Sequence, residues 1–291
     1  MPWYIGVCID YSSYFWNIYY SCTQIKLNMS KLLITFGCSW TKGIGAGYGE
    51  EYQSKDKNDF KTKCWESSLN EKYAYRSLLC KKYNLQNINF SIGGSSNQTQ
   101  FRLAEEFFVS EKFNIFQQES KGNIYVLWAI TSTARGEIYV NALKKFKSIF
   151  YNTTSKNDLE HKLAELIAVN FYNHEAELVT LNNRMKHWNQ YFTALSIKNI
   201  WIDTFNHHKY LNPVDNLCFK NDIPRDLLSK IMNIKLYNEI YHISNWNDDC
   251  ILIKPAIAQG LLNPYSMHPT SKAHKIITEI LSPEIEKLID T

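Results

Sequence analysis

The chain has 291 residues, 45% of them hydrophobic and 21% charged, with a formal charge of +4. That length and balance suit one large α/β domain or two small ones, with ample material for a core. The small net charge, without a clustered Lys/Arg face, argues against a nucleic-acid partner, and no apolar run is long enough to span a bilayer.

The first 28 residues have no basic start, and Asp10 and several tyrosines interrupt the apolar stretch, so they do not read as a secretory signal. Two readings of this segment stand. It is an extension of unknown role added to a domain that begins at Met29, or an aromatic arm (Trp3, Tyr4, Phe15, Trp16) that packs on that domain. From Lys31 onward, short apolar runs alternate with amphipathic stretches. Leu32–Phe36 reads as a buried strand, 68–83 as a helix, Asn87–Ile92 as a second strand and Asn97–Val109 as a helix. Ile124–Thr131 and Ile200–Phe205 read as the third and fourth strands, and 271–288, after Pro269, as a closing helix.

Between the third and fourth strands a helical stripe recurs every three or four residues, from Leu159 through Ile167, Phe171, His174 and Trp188 to Leu195. It predicts a helical insertion around 138–197, with His174 a buried structural histidine. Strands separated by helices predict a parallel sheet covered on both faces, a three-layer α/β/α sandwich.

The seven cysteines (Cys8, Cys22, Cys38, Cys64, Cys80, Cys218, Cys250) are odd in number and form no CxxC pair. This predicts reduced thiols, no disulfide framework, no structural zinc and a cytoplasmic location. No metal and no other cofactor is expected.

Ligands of open parallel sheets bind at the carboxyl ends of the strands, and three segments stand there. The first is FGCSWTKG, Phe36–Gly43. Five of the chain's 11 glycines fall between Gly37 and Gly49, so the backbone turns tightly just past the first strand. The order Lys42-Gly43-Ile44 does not fit a Walker loop, and GxGxxG spacing is absent. A serine nucleophile at Ser39 fits this turn better, although a plain glycine loop also would. The second segment is NFSIGGSSNQ, Asn89–Gln98. Its glycine turn can aim the Gly94 N–H and the Asn97 amide at one point, as an oxyanion hole requires, or Ser96 or Asn97 can simply cap the next helix. The third is YSMHPTSKAH, Tyr265–His274, where His268 precedes a proline at a helix edge. His274 reads as solvent-facing or structural.

In this order, the three segments resemble the GDSL/SGNH hydrolase superfamily. GCSWTKG is similar to the first block, G-D-S-[LF]-[ST]-x-G, and places Ser39 on the nucleophile. NFSIGGSS is similar to the second block, with Gly94 on its oxyanion-hole glycine, and SMHP matches the end of D-x-x-H-P, placing His268 on the base. The resemblance implies a flavodoxin-like fold and hydrolysis of an acyl or acetyl ester of a small molecule or carbohydrate. The departures are specific. Cys38 replaces the first-block Asp, the G-x-N-D block is missing, and Tyr265 stands where the triad acid belongs. Asn97 is then the substitute oxyanion donor, and Asp203, at the end of the fourth strand, the candidate orienting acid. The alternative is a catalytically impaired binding or structural protein on the same scaffold, possibly carbohydrate-binding, for which the indoles of Trp128, Trp188 and Trp201 would suit a sugar ring or simply fill the core.

Overall fold

The computed structural model describes residues 31–53, 63–120, 122–141, 144–150, 158–204, 258, 260–265 and 268–290. The extension 1–28 lies outside these residues, as do the side chains of His174 and Asp203. Four strands form one parallel sheet: β1 Leu32–Phe36, β2 Gln86–Asn89, β3 Ile124–Ile130 and β6 Lys198–Asp203, in the order β2-β1-β3-β6. Ile34 pairs with Ile88 on one side and with Val126 on the other.

All residues of β1 and β3 are buried. Their alternate side chains go to opposite faces, which gives the sheet two cores. On one face Leu33, Leu127 and Ile202 pack with Leu79 of α3 (Tyr75–Tyr83) and with Ile277 and Leu281 of α8 (Ser271–Asp290). On the other, Ile34, Phe36 and Trp128 pack with Phe101 of α4 (Asn97–Phe108), Phe113 of α5 (Glu111–Glu119) and Met185 of α7 (His174–Ala194). The result is the three-layer α/β/α sandwich that the strand and helix pattern predicts.

One device of the second core follows directly from register. Phe36, Trp128 and Trp201 are lateral partners on adjacent strands. Their rings stack across the sheet with centroids 4.5 and 4.8 Å apart, matching the spacing of neighbouring strands. Trp128 Nε1 donates to Gln100 Oε1 at 2.8 Å and Trp201 Nε1 to Asn189 Oδ1 at 2.7 Å, so the indole donors are satisfied inside the core.

Successive strands are added first on one side of β1 and then on the other. In an open α/β sheet such a reversal marks the carboxyl ends of the strands beside it, here β1 and β3, as the expected place for a ligand.

The structure departs from the sequence expectation in four places. The helix read over 68–83 is two, α2 (Ser67–Tyr73) and α3, separated by Ala74 in an extended conformation. The insertion opens with an antiparallel hairpin, β4 (Arg135–Val140) and β5 (Lys145–Phe150). Its Glu137, with a side chain 7% exposed, takes two 2.9 Å bonds from Arg102 of α4, a tertiary ion pair that no helical period encodes. The long stripe is broken between α6 (Asp158–Asn170) and α7. Asn173 caps α7 by accepting from Ala176 N, and Phe171 is exposed. Finally, α5 has no counterpart among the elements that the sequence predicts.

Truncating Trp128 to Ala removes the middle ring of the ladder, and should lower stability by about 3–5 kcal/mol, as for other buried aromatic deletions. Urea unfolding of the two proteins measures this; a loss below about 1 kcal/mol would contradict the packing described.

Candidate functional site

Ser39 lies just past the carboxyl end of β1, as the first residue of α1, a single turn spanning Ser39–Lys42. The route into it is sterically fixed. A β-carbon on Gly37 would lie 2.2 Å from Thr41 Oγ1, so only glycine fits. Gly43 ends the turn with φ +87°, and both Gly43 N and Ile44 N donate to the Ser39 carbonyl at 3.0 Å. The Ser39 residue is 8% exposed, and its hydroxyl makes no hydrogen bond among the described residues. Cys38 is wholly buried in the core with Leu79 and Ala273.

The second loop is sewn to the first. The Gly37 carbonyl accepts from Ile92 N at 3.1 Å and from Ser95 Oγ at 3.0 Å. Gly94 sits at φ +75°, in the left-handed region that favours glycine. Ser96, rather than Asn97, caps α4 by accepting from Thr99 N at 3.0 Å. Asn97 has a different task. Its Nδ2 donates to Thr131 O and its Oδ1 accepts from Thr131 N, both at 2.8 Å. The carboxamide therefore clamps the end of β3, leaving one Nδ2 hydrogen for the oxyanion role expected of it.

The third loop carries His268. A short antiparallel bridge pairs Leu262 with Pro269, and Asn263 N donates to the His268 carbonyl at 2.9 Å. The start of α8 is then pinned to the glycine loop that follows Ser39. Ser271 N and Oγ both donate to Tyr48 O, at 3.2 and 3.1 Å, and Lys275 pairs with Glu50. A β-carbon on Gly45 would lie 3.5 Å from His268 Cβ. His268 thus lies against the residue next to Ile44, whose N–H holds the Ser39 carbonyl. Tyr265, which stands where the resemblance would place an acid, packs against the cluster of Ile44, Tyr52 and Cys64. Asp203 ends β6.

Beneath the Ser39 turn is a buried polar layer absent from the sequence expectations. Tyr75 OH donates to Thr41 Oγ1 at 2.8 Å. The guanidinium of Arg76, only 1% exposed, bonds the carbonyls of Thr41 and Lys42, the Asn87 side chain and the Glu71 carboxylate. A signal for it existed. Arg76 shares the helical stripe of Leu79, Cys80 and Tyr83, where a charge needs buried partners.

His274 is structural and fully buried, not solvent-facing. Its Nδ1 accepts from Tyr75 N at 3.3 Å, which puts the proton of the neutral ring on Nε2. Burial first, then the nearby Arg76 cation and His268, push its pKa from 6.5 down to about 3.

Beside Asn97 a small cleft of about 50 Å³ opens among α4, β4 and α7, lined by Phe101, Thr133, Arg135, Glu177 and Arg184 among others. Trp128 and Trp201 are core, not a sugar platform, and Trp188 packs against the same core. Among the described residues, no three His, Cys, Asp or Glu side chains are grouped to hold a metal, and no helix is long and apolar enough to cross a membrane. Cys38, Cys64 and Cys80 are buried thiols, and burial lifts the Cys64 and Cys80 thiols to about 12.

No protein-family model and no curated protein matches the sequence. Among solved structures, one described by the words "The active site of a carbohydrate esterase displays divergent catalytic and non-catalytic binding functions" aligns with a TM-score of 0.41 and 10% identity, covering 89% of this chain and 69% of that one. A match that distant transfers no function.

The buried neutral His274 has a measurable consequence. Between pH 6.5 and about 3 the unfolded chain binds a proton at this residue that the folded chain does not. Its contribution to stability is complete above pH 6.5 and is lost as pH falls, by about 1.4 kcal/mol per unit. His274→Asn keeps an acceptor for Tyr75 N and cannot titrate, so its stability should fall less steeply on acidification. Parallel slopes for the two proteins in urea unfolding between pH 6 and 4 would rule this out.

Proposed function

We propose that this protein is a serine hydrolase that cleaves an acyl or acetyl ester of a small molecule or carbohydrate, with Ser39 as nucleophile and His268 as base. One observation carries the reading. Two segments far apart in sequence, the Ser39 turn and the His268 loop, are pressed together through Gly45 and through the Tyr48–Ser271 bonds. Nothing in composition requires that meeting, and an Oγ–imidazole partnership does.

In this mechanism a His268 ring nitrogen removes the Ser39 Oγ proton as Oγ attacks the ester carbonyl, forming the tetrahedral intermediate. The N–H groups of Gly94 and Ser39, with the remaining Asn97 amide hydrogen, receive the negative charge on its oxygen. The imidazolium then protonates the departing alkoxide, and water, deprotonated by the same ring, releases the acid from the acyl-enzyme. With Tyr265 in place of the acid, the other ring nitrogen is oriented by a backbone carbonyl, a water or a carboxylate such as Asp203. The buried cysteines, none in a disulfide among the described residues, fit a reducing, cytoplasmic compartment.

The clamp between Asn97 and Thr131 favours a second reading, a binding protein on the same scaffold, because it draws on the group expected to hold the oxyanion.

A fluorophosphonate probe separates the two. Folded wild-type protein should be labelled at Ser39 and hydrolyse p-nitrophenyl acetate. Ser39→Ala should abolish both, and His268→Ala should lower kcat by about 10²- to 10⁴-fold, the usual worth of general-base catalysis. Folded protein that takes no label and turns over no ester is the binding protein.

A further inference from the structure

The helix that carries Ser39 is four residues long. So short a helix has no stability of its own, because nucleation alone is unfavourable. Its geometry must be imposed from outside, at both ends. At the start, β1 and Gly37 impose it. At the end, the carbonyls of Thr41 and Lys42 are acceptors that the turn itself cannot satisfy.

Arg76 supplies the missing partners. Its Nε donates to Thr41 O at 3.0 Å and its Nη2 to Lys42 O at 3.3 Å, a cation placed at a helix C-terminus, where the carbonyl dipoles favour it. The opposite edge of the guanidinium donates from Nη1 to Asn87 Oδ1 at 2.7 Å. Asn87 in turn donates from Nδ2 to the Leu33 carbonyl at 2.9 Å. One planar group therefore ties the exit of the Ser39 turn to the strand from which that turn springs. Lysine cannot copy it, because a single ammonium lacks the fixed fork.

We infer that Arg76 is a positioning residue, holding Ser39 at the carboxyl end of β1 through the carbonyls of Thr41 and Lys42; the inference rests on Ser39 being the nucleophile. Arg76 does not touch the substrate. It acts by denying the turn the freedom to rotate, and a misplacement of about 1 Å at a reacting atom costs on the order of 100-fold in rate.

The test uses the full chain, p-nitrophenyl acetate and amide hydrogen exchange. Arg76→Lys should lower kcat by about 10- to 100-fold with little change in KM. It should speed exchange at residues 39–44 while leaving the β3 and β6 amides protected. Glu71→Gln, which removes the charge of the partner whose side chain is 55% exposed but keeps an oxygen to accept from Arg76 and leaves both carbonyl bonds in place, should stay within about threefold of wild type. If Arg76→Lys does not fold, Asn87→Ala takes its place, since it cuts the tie to β1 alone; it should show the same split of kcat from KM at smaller size. The inference is overturned if the folded variant keeps wild-type kcat, if KM alone changes, or if exchange rises equally throughout the sheet. Wild-type activity that survives Ser39→Ala instead sinks the nucleophile assignment. An active wild type silenced by Ser39→Ala but indifferent to Arg76→Lys sinks the positioning role alone.

Discussion

Everything at the candidate site depends on the enclosure of β1. The strand is hydrogen-bonded to a neighbour on each edge and covered by helices on each face, so the chain can leave it in one direction only. It leaves through Gly37, where there is no room for a β-carbon, into a single helical turn. The Gly37 carbonyl, turned out of the strand, accepts from Ile92 N and Ser95 Oγ and draws the second loop onto the first. The Tyr48 carbonyl does the same for the third, accepting twice from Ser271. Two backbone oxygens thus gather three distant segments around Ser39.

The two faces of the sheet do different work. The face under α4, α5 and α7 is aromatic, and its ladder of Phe36, Trp128 and Trp201 turns strand register into ring stacking. The face under α3 and α8 is apolar further from the site, but beneath the Ser39 turn it holds Thr41, Tyr75, Arg76, Asn87 and His274 in bonded contact. Buried polar groups of this kind are costly unless partnered, and when partnered they fix one geometry where a greasy core would tolerate several. Because His274 stays neutral down to about pH 3, the layer keeps its bonding pattern through the range in which an ordinary imidazole changes charge.

The segment between β3 and β6 packs on the far side of Asn97. The β4–β5 hairpin is held to α4 by the Arg102–Glu137 pair, and α7 packs along the same helix layer. Between them lies the cleft beside Asn97. Since Asn97 also clamps the end of β3, its carboxamide links the cleft, the sheet and the turn containing Gly94.

The sequence by itself determined the layers. Apolar runs at Leu32–Phe36 and Ile124–Ile130, with no polar alternation, demand a sheet covered twice, and the helical stripes between them supply the cover. It also marked the glycine turn bearing Ser39, because conformational freedom at Gly37 and Gly43 is written in residue type. What only the tertiary structure decided is where polar side chains find partners. The helical stripe puts Arg76 where a charge needs buried partners, but that these are Asn87 and the Thr41 carbonyl is decided only by packing. Asn97 reads as a helix cap or an oxyanion donor until Thr131 takes both ends of its amide, and His274 as solvent-facing or structural until the bond from Tyr75 N and its burial decide for the second. The reason is one of range: hydrophobic period is a property of neighbours along the chain, whereas a hydrogen bond across 34 or 199 residues exists only once packing has set both of its ends.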